Sequence, residues 1–288
     1  MLFRRGRESD NVEDRRGQSP RGGFLGGGRG IGIGTLLLLL AGAYFGIDPR
    51  IILTLVGGAG QPQQTSAPAQ KPPADDAQSR FVSMVLADTE DTWTELFKRA
   101  GLRYQDPKLV LFSGATPTPC GMGQSAMGPF YCPPDQKVYI DLRFYDDLKR
   151  RFGAPGDFAQ AYVVAHEIGH HVQNLLGIAD KVSAAQRRMG QAEANQLSVR
   201  MELQADCLAG VWANHAHQTR QILEQGDVEE GLRAASAIGD DQIQRRTQGY
   251  VVPDGFTHGT SAQRVEWFRR GLSMGDMNAC DTFSSNRI

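Results

Sequence analysis

An uncharged apolar run from Ile31 to Ile47 constrains the architecture of this 288-residue chain more than any other feature. The run is near the lower limit of length for a helix that crosses a bilayer, and residues 51–56 extend it after a polar break. We therefore predict a transmembrane helix over residues 31–56. A cleaved signal peptide is the alternative interpretation, but the preceding polar segment is unusually long and no small-residue cleavage site follows the leucines directly.

Charge on either side of this run predicts its orientation. Residues 1–30 carry seven arginines, whereas only Arg50 follows the run before Lys71. The positive-inside rule therefore predicts a cytoplasmic N-terminus and an extracytoplasmic remainder, as in a single-pass protein of the inner membrane. Residues 1–30 also show no hydrophobic periodicity, so we expect them to form a disordered cytoplasmic tail.

The chain after the apolar run is divided between a linker and one folded domain. Residues 57–79 are mostly Pro, Gln, Ala and Gly, which bury too little apolar surface to fold, so we expect a linker there. Residues 80–288 then form the domain. Its predicted class is α+β, mostly helical, with a small sheet ahead of a central helix. The periodicity predicts strands at 108–112 and 137–141. It predicts helices at 81–100 and 158–176, further helices from there to residue 217, and helices at 227–246 and 262–271.

The overall charge bears on the kind of partner, and the cysteines bear on the compartment. The net charge is −1, so we expect no nucleic-acid partner. Cys120 and Cys132 bracket a glycine-rich loop, where a disulfide is expected in an oxidising compartment. Cys207 and Cys280 could form a second bridge, or Cys207 could be a buried thiol on a helix.

Two histidines in the stretch AHEIGHHVQ indicate a metal site on the central helix. His166 and His170 are four residues apart, so both imidazoles project from one helical face within reach of a single ion. Zinc accepts neutral imidazole and keeps a position open for water in catalytic sites, and Glu167 is placed to take a proton from that water. The alternative is a surface helix, but residues 162–165 are largely apolar, and Gly169 would admit another backbone.

A third zinc ligand is expected from the stretch MELQADCLAGVW. Glu202 is the candidate, and Asp206, one turn further, could accept the Nδ1–H of a ligand histidine. A solvated acidic face is the alternative interpretation, but the surrounding residues are largely apolar. The other candidates for the third ligand are His171, His215 and His217.

The segment THGTSAQRVEWFRRG (257–271) supplies further polar groups. His258 is the candidate for a group that stabilises a tetrahedral oxyanion. Arg264 falls in the first turn of a helix capped by Ser261, where it could brace an acidic partner such as Asp206. The alternative is a capped surface helix whose histidine is exposed.

HExxH followed by a glutamate in an ExxAD-like stretch resembles the gluzincin group of zinc peptidases. The closer resemblance is to the bacterial neutral zinc metallopeptidase family, and it covers essentially the whole chain. It rests on the stretches RESDNVEDRRG (7–17), AHEIGHHVQ (165–173), ELQADCLAGVWA (202–213) and HGTSAQRVEWFRRG (258–271). The resemblance implies a gluzincin-like peptidase domain behind a single transmembrane helix. It also implies one Zn²⁺ bound by His166, His170 and Glu202, with Glu167 as the general base.

Together these features predict a membrane-tethered zinc metalloendopeptidase whose partner is a polypeptide substrate. The substrate is expected along an edge strand (137–141), with the 120–132 loop as one wall of the cleft. A non-catalytic zinc-binding envelope scaffold is one alternative, and it would close the zinc shell with a fourth ligand such as His258 or His171. A metal hydrolase of cell-wall amides is the other, and it would need a pocket rather than a groove.

Overall fold

The computed structural model describes Met1, residues 6–17 and residues 70–284. The predicted transmembrane helix (31–56) and residues 57–69 of the predicted linker lie outside these ranges. Within the ranges described, no helix combines the length and the apolar character needed to cross a bilayer. The described residues are mostly helical with a small sheet, which confirms the predicted α+β class.

The helices and strands follow the predicted order closely. The strands are β1 (Val12–Asp14), β2 (Lys108–Phe112), β3 (Ala115–Thr118), β4 (Gly121–Gln124), β5 (Phe130–Cys132) and β6 (Lys137–Asp141). The helices are α1 (Ala77–Arg99), α2 (Arg143–Arg150), α3 (Asp157–Leu175), α4 (Ile178–Gln186), α5 (Gln191–Arg220), α6 (Asp227–Ala237), α7 (Asp240–Gln248) and α8 (Ser261–Met274). The bounds of β2 and β6 are those predicted, and α1 and α3 agree with prediction to within about one turn.

The four-stranded sheet has the order β1-β2-β6-β5, in which β5 alone runs antiparallel to its neighbour. Successive side chains of β2 point to opposite faces: Leu109 and Leu111 enter the main core, whereas Val110 and Phe112 enter a smaller cluster. Apolar residues on both faces are typical of an interior strand. The same holds for β6, so the prediction that 137–141 is an edge strand is wrong, and β5 forms that edge.

Close helix packing holds the helical layer together. A Cβ atom at Gly271 of α8 would lie 1.8 Å from the carbonyl oxygen of Cys207, and one at Gly210 would lie 2.2 Å from that of Phe268. Only glycine fits at such distances. Glycines on α5 and α8 therefore let the two backbones touch.

Two predicted details of the last helices are wrong. The predicted helix 227–246 is two helices, α6 and α7, because the chain breaks at Gly239, where a Cβ would lie 2.4 Å from the amide nitrogen of Ser261. The N-cap of α8 is Thr260 rather than Ser261. Thr260 and Gln263 form a reciprocal capping box, which satisfies two backbone amides at the start of the helix.

The prediction that residues 1–30 form a disordered tail is wrong for residues 6–17. Val12, Glu13 and Asp14 pair in parallel with residues 109–111 of β2, so this segment is a strand of the sheet. Sequence periodicity missed it because the strand is three residues long and its one apolar member, Val12, gives no pattern. Ionic and polar contacts hold the segment in place, together with the burial of Val12 in the main core.

Those contacts explain the stretch RESDNVEDRRG, which has no physical account at the level of sequence. The Ser9 hydroxyl and the Asn11 amide both donate to Glu90 Oε1 of α1, and Arg7 Nη2 lies 2.9 Å from Glu90 Oε2. Asp14 Oδ2 lies 2.6 Å from Arg16 Nη2. The stretch, residues 7–17, therefore forms one edge of the sheet and binds α1 through polar contacts. We call it the N-terminal clamp.

Glu13 is the most buried charge of this clamp. Its side chain is 9% exposed and lies 2.9 Å from Lys137 Nζ, 2.8 Å from Arg15 Nη2 and 3.2 Å from Lys108 Nζ. Burial raises the pKa of Glu13, but hydrogen bonds from Lys137, Arg15 and Lys108 outweigh it and lower the pKa from 4.5 to about 2. The ionised carboxylate therefore stabilises the folded state.

Replacing Glu13 by Gln is expected to lower the free energy of unfolding by about 2 kcal/mol at neutral pH, since it removes the buried carboxylate that pairs with the partly buried Lys137 ammonium. Because the folded pKa lies below the unfolded one, this difference is present above about pH 5 and disappears as the pH falls towards 2. Denaturant unfolding of both proteins across that range measures it. Glu8→Gln, at the exposed Glu8–Arg80 pair, is the control and should change stability by less than about 0.5 kcal/mol. A difference that does not vary with pH would contradict the assignment.

Candidate metal centre

Helix α3 brings His166 and His170 together with Glu202 of α5. His166 Nε2 lies 3.1 Å from Glu202 Oε2, and His170 Nε2 lies 3.4 Å from Glu202 Oε1. The donor atoms of all three residues lie within 4.8 Å of one another. Ligand atoms on a tetrahedral zinc, each about 2.05 Å from the ion, are separated by about 3.3 Å. The observed spacing therefore fits zinc, and three protein donors leave one position open.

Glycine at position 169 sets the separation of α3 and α5. A Cβ there would lie 2.9 Å from the carbonyl oxygen and 3.0 Å from the Cα of Ala205. Ala205 lies between Glu202 and Asp206 on α5, so the closest approach of the two helices coincides with the cluster. The predicted role of Gly169, to admit another backbone, is confirmed.

Asp206 is fully buried and accepts hydrogen bonds from two helices. His166 Nδ1 lies 2.9 Å from its Oδ1, as the sequence predicted, and the Tyr162 hydroxyl donates to the same oxygen. Arg264 of α8, itself 2% exposed, donates from Nε to Oδ2 at 2.8 Å and from Nη2 to Oδ1 at 2.9 Å. This confirms the predicted contact between Arg264 and Asp206. The contact with Asp206 orients His166 so that Nε2 faces Glu202 and Nδ1 carries the proton.

The pKa values of the two glutamates beside the histidines, Glu167 and Glu202, are shifted in opposite directions. Burial raises the pKa of Glu167, and the nearby histidines offset this only in part. Burial also acts to raise the pKa of Glu202, but His170 and His166 outweigh it and hold that pKa well below its usual range. Glu202 is therefore a permanent carboxylate suited to a cation, whereas Glu167 is suited to exchange a proton.

His258 lies at the rim of this cluster. Its neighbour Gly259 packs against Val199 and Leu203, the residues of α5 that flank Glu202. Burial lowers the pKa of His258, but its hydrogen bond with Asp240 and the charge of Glu202 outweigh that and raise it. The side chain is 49% exposed, so it is open to a ligand from solvent.

Asp240, at the start of α7, builds the loop that carries His258. Its Oδ2 accepts the backbone N–H groups of Thr257, His258 and Gly259 at 2.7, 2.6 and 3.1 Å. Its Oδ1 lies 3.1 Å from His258 Nδ1. Asp240 thus fixes both the backbone and the ring of His258, and Nε2 remains available to another group.

The remaining candidate histidines do not join the cluster. His171 is fully buried, with Nε2 donating to the Gln105 carbonyl oxygen at 2.6 Å and Nδ1 accepting from the Tyr131 hydroxyl at 2.9 Å. Burial lowers its pKa to about 4, so it is neutral. His215 contacts the Gly275 carbonyl at 2.7 Å, and His217 is exposed. Of the four candidates for the third ligand, only Glu202 lies beside His166 and His170.

Both predicted disulfides are confirmed, Cys120–Cys132 and Cys207–Cys280. The first joins the turn of the β3–β4 hairpin to β5, so it fixes the 120–132 loop beside the edge of the sheet. The second joins α5, one residue after Asp206, to the segment that follows α8. The alternative of a free buried thiol at Cys207 is wrong.

A second acidic group lies at the start of α3, among the described residues. Asp157, Asp227 and Glu230 bring carboxylate oxygens within 4.8 Å of one another. The ammonium of Met1 lies 3.1 Å from Asp157 Oδ2 and 3.3 Å from Asp227 Oδ2. That ammonium offsets part of the negative charge of the group, and the group has no imidazole, so His166, His170 and Glu202 are the better candidates for a zinc site.

The model of the family described as "Putative neutral zinc metallopeptidase" matches residues 1–283. The chain belongs to this family. The uncharacterized protein YpfJ of Escherichia coli strain K12 is 54% identical over 295 residues, which cover 99% of this chain and 100% of YpfJ. The uncharacterized proteins Mb2605 of Mycobacterium bovis and Rv2575 of Mycobacterium tuberculosis are each 44% identical over 217 residues, 72% of this chain and 72% of their own length.

No solved structure matches the chain, so the gluzincin-like fold stays a prediction. Membership of the family confirms the resemblance seen in the sequence, and at a coarse level it indicates a zinc-dependent hydrolase. The relatives carry no assigned substrate in their names.

Sequence reasoning missed three residues of the site. Tyr162 stands four positions before His166, and Gln173 three after His170, so helical spacing could have placed each beside its histidine. Asp240 Oδ1 lies 3.1 Å from His258 Nδ1, but Asp240 begins α7 and His258 lies in the loop before α8. No spacing rule connects residues so far apart in sequence.

Replacing Gly169 by Ala is expected to push α5 away from α3, lowering the free energy of unfolding by about 1–3 kcal/mol and weakening zinc binding. The added methyl meets backbone atoms of Ala205, which cannot rotate away. Denaturant unfolding and competition with a chromophoric chelator measure the two effects. Gly190→Ala, which meets nothing within 4 Å, is the matched control. Unchanged stability and zinc affinity in Gly169→Ala would show that the close approach is not required.

Proposed function

We propose that this protein is a zinc-dependent endopeptidase. The observation that carries the proposal is the convergence of two imidazole nitrogens and one carboxylate at zinc-like spacing, with the buried carboxyl of Glu167 on the same helical turn. His166, His170 and Glu202 would hold one Zn²⁺. When bound, the ion would polarise the scissile carbonyl and an attacking water.

Glu167 is the proposed general base. Its raised pKa lets it take a proton from the attacking water as the oxygen forms a bond to the carbonyl carbon. The same proton then passes to the amide nitrogen as the carbon–nitrogen bond breaks, so the carboxylate is regenerated. Glu202 is not suited to this role, because a carboxylate with so low a pKa is a weak base.

His258 is proposed to stabilise the oxyanion that develops on the carbonyl. The contact with Asp240 keeps Nδ1–H occupied and leaves Nε2 free, and the raised pKa favours the protonated ring as a donor. Because Asp240 also fixes the loop backbone, His258 is held in position before substrate arrives. Asp206 and Arg264 act through His166 rather than on substrate.

A polypeptide substrate is proposed to lie along β5, the edge of the sheet on the side of α3. Tyr131 of β5 donates to His171 and accepts from Asn174 Nδ2 at 3.0 Å, so two residues of α3 hold this strand. The Cys120–Cys132 disulfide fixes its far end. A rigid edge strand beside the catalytic helix suits an extended peptide, which adds to the sheet through backbone hydrogen bonds.

The scaffold alternative requires a fourth protein ligand. His171 is not suited to that role, because both of its ring nitrogens are committed to Gln105 and Tyr131. His258 does not belong to the group of donor atoms that lie within 4.8 Å of one another. The edge strand β5 also favours an extended peptide over a compact cell-wall amide as the substrate.

The domain is proposed to lie in an oxidising compartment outside the cytoplasm, since its four cysteines form two disulfides. Because β1 pairs with β2, residues 6–17 and residues 70–284 are proposed to lie on the same side of any membrane. This conflicts with the predicted single crossing, which would put the N-terminus and the domain on opposite sides. Attachment to the membrane through residues 31–56 stays a prediction.

Cysteine accessibility in intact spheroplasts tests this arrangement. Asp10→Cys reports on the N-terminal segment, and Met189→Cys on the domain, because both side chains are exposed and all four native cysteines are paired. A membrane-impermeant maleimide is expected to label both. Labelling of Met189→Cys alone would show that the two segments lie on opposite sides, and labelling of neither before lysis would place both inside.

Activity is tested on the full chain in detergent, by assaying bound zinc and the cleavage of unfolded casein together. We expect one equivalent of zinc and measurable cleavage. Glu167→Gln should retain zinc and lose about 10²–10⁴-fold in kcat, as expected for a general base. His258→Gln should also retain zinc and lose about 10²-fold in kcat, as expected for one oxyanion donor.

The outcomes separate the candidate functions. Zinc without cleavage by the native protein would favour the scaffold. Folded protein that binds no zinc would overturn the proposal, and full activity in Glu167→Gln would overturn the assignment of the base. Full activity in His258→Gln would remove only the oxyanion role.

A further inference from the structure

We propose that Gln173 is a positioning residue that fixes the tautomer of His170 through a one-way chain of side-chain amides ending at the carbonyl of Cys280. The inference rests on the proposed zinc site and deepens it. The two histidines would then be oriented by different means, His166 by a carboxylate and His170 by a neutral amide.

The chain has three links beyond the imidazole. His170 Nδ1 lies 2.9 Å from Gln173 Oε1. Gln173 Nε2 lies 2.7 Å from the carbonyl oxygen of Met201 and 3.0 Å from Gln204 Oε1. Gln204 Nε2 lies 2.9 Å from the carbonyl oxygen of Cys280. Each amide is therefore bonded at both of its ends.

The direction of the chain follows from its far end. A backbone carbonyl only accepts hydrogen bonds, so the groups facing Met201 and Cys280 must be the NH₂ ends of Gln173 and Gln204. A flipped Gln173 would set its oxygen against the Met201 carbonyl. Gln173 Oε1 must therefore face His170, and since that oxygen only accepts, Nδ1 must carry a proton. Nε2, which faces Glu202, is then the nitrogen with a free lone pair.

Because the two amides are buried, reversing the direction of these hydrogen bonds would cost free energy. Gln173 is fully buried and Gln204 is 7% exposed, so water cannot replace a lost partner. An unsatisfied buried amide or carbonyl costs about 1–3 kcal/mol. One reversed amide would leave two groups unsatisfied at once, which is why the chain holds a single arrangement.

An amide suits position 173 better than a carboxylate does. Glutamate there could still accept from His170, but it has no proton to offer Met201 or Gln204. It would also add a buried negative charge to a site that already holds Glu202 and Asp206. Glutamine is thus the residue that orients the ring without changing the charge around the metal.

The chain also ends on a covalent link to the helix that carries Glu202. Cys280 is joined to Cys207, which lies on α5 five residues after Glu202. The acceptor for Gln204 is therefore attached to the same helix as the carboxylate ligand. The hydrogen-bonded chain that begins at His170 is therefore anchored to α5, the helix that carries Glu202, although His170 itself lies on α3.

Three variants test the chain on the full protein in detergent. Gln173→Leu removes the acceptor for His170, and we expect zinc affinity to fall about 10–100-fold, measured by competition with a chromophoric chelator. Gln204→Glu still accepts from Gln173 but cannot donate to Cys280, so its loss should be smaller. Gln186→Leu is the matched control, because Gln186 bridges α4 and α5 through Ala194 and Ser198 without touching a histidine. Its zinc affinity should not change.

A second readout reports the tautomer itself. In the zinc-loaded protein, ¹⁵N-resolved NMR of the imidazoles should show a slowly exchanging Nδ1–H for His170, and Gln204→Glu should speed that exchange. A protonated Nε2 and a bare Nδ1 on His170 would overturn the proposal, even if Gln173→Leu fails to fold. So would native zinc affinity in folded Gln173→Leu. Absence of zinc binding by the native protein is a different result, since it overturns the proposed function first.

Discussion

The hydrogen bonds of the buried Asp206 carboxylate are the interactions on which the rest of the candidate metal centre depends. An unpaired carboxylate at this depth would cost several kcal/mol, and its partners come from two other helices, Tyr162 and His166 from α3 and Arg264 from α8. The three helices must therefore stack in one register before the charge is satisfied. Glycine at the contacts brings the backbones close enough for this, and the same register delivers Glu202 to the two imidazoles.

This arrangement also balances charge. A divalent cation and the Arg264 guanidinium together carry as much positive charge as Glu202, Asp206 and Glu167 carry negative charge. Glu167 is the one carboxylate of the three whose pKa is raised, which suits the role of general base proposed for it. Hydrolysis needs a group that alternates between two protonation states, beside others that do not.

Local spacing predicted the parts of the site that lie on single helices. The four-residue separations of His166 from His170 and of Glu202 from Asp206 fixed which side chains share a face, and the contact of Asp206 with His166 followed from that. Strands β2 and β6 were predicted because each contains a short run of apolar residues, four in β2 and three in β6. Asp240 and the pairing of β5 with β6 could not be predicted, since they depend on which distant segments meet. β1 was missed because it is three residues long and has one apolar residue, Val12, with charged contacts on either side.

The position of β1 has a consequence for how the chain reaches its native state. Val12 pairs with Leu109, about a hundred positions later. β1 must therefore wait for β2 to be synthesised before it can form its backbone hydrogen bonds. Its Glu13 finds Lys108 and Lys137 only then, so this edge of the sheet is expected to close last. Until that point β2 presents an unpaired strand edge to other chains, which makes the newborn chain vulnerable to misassociation.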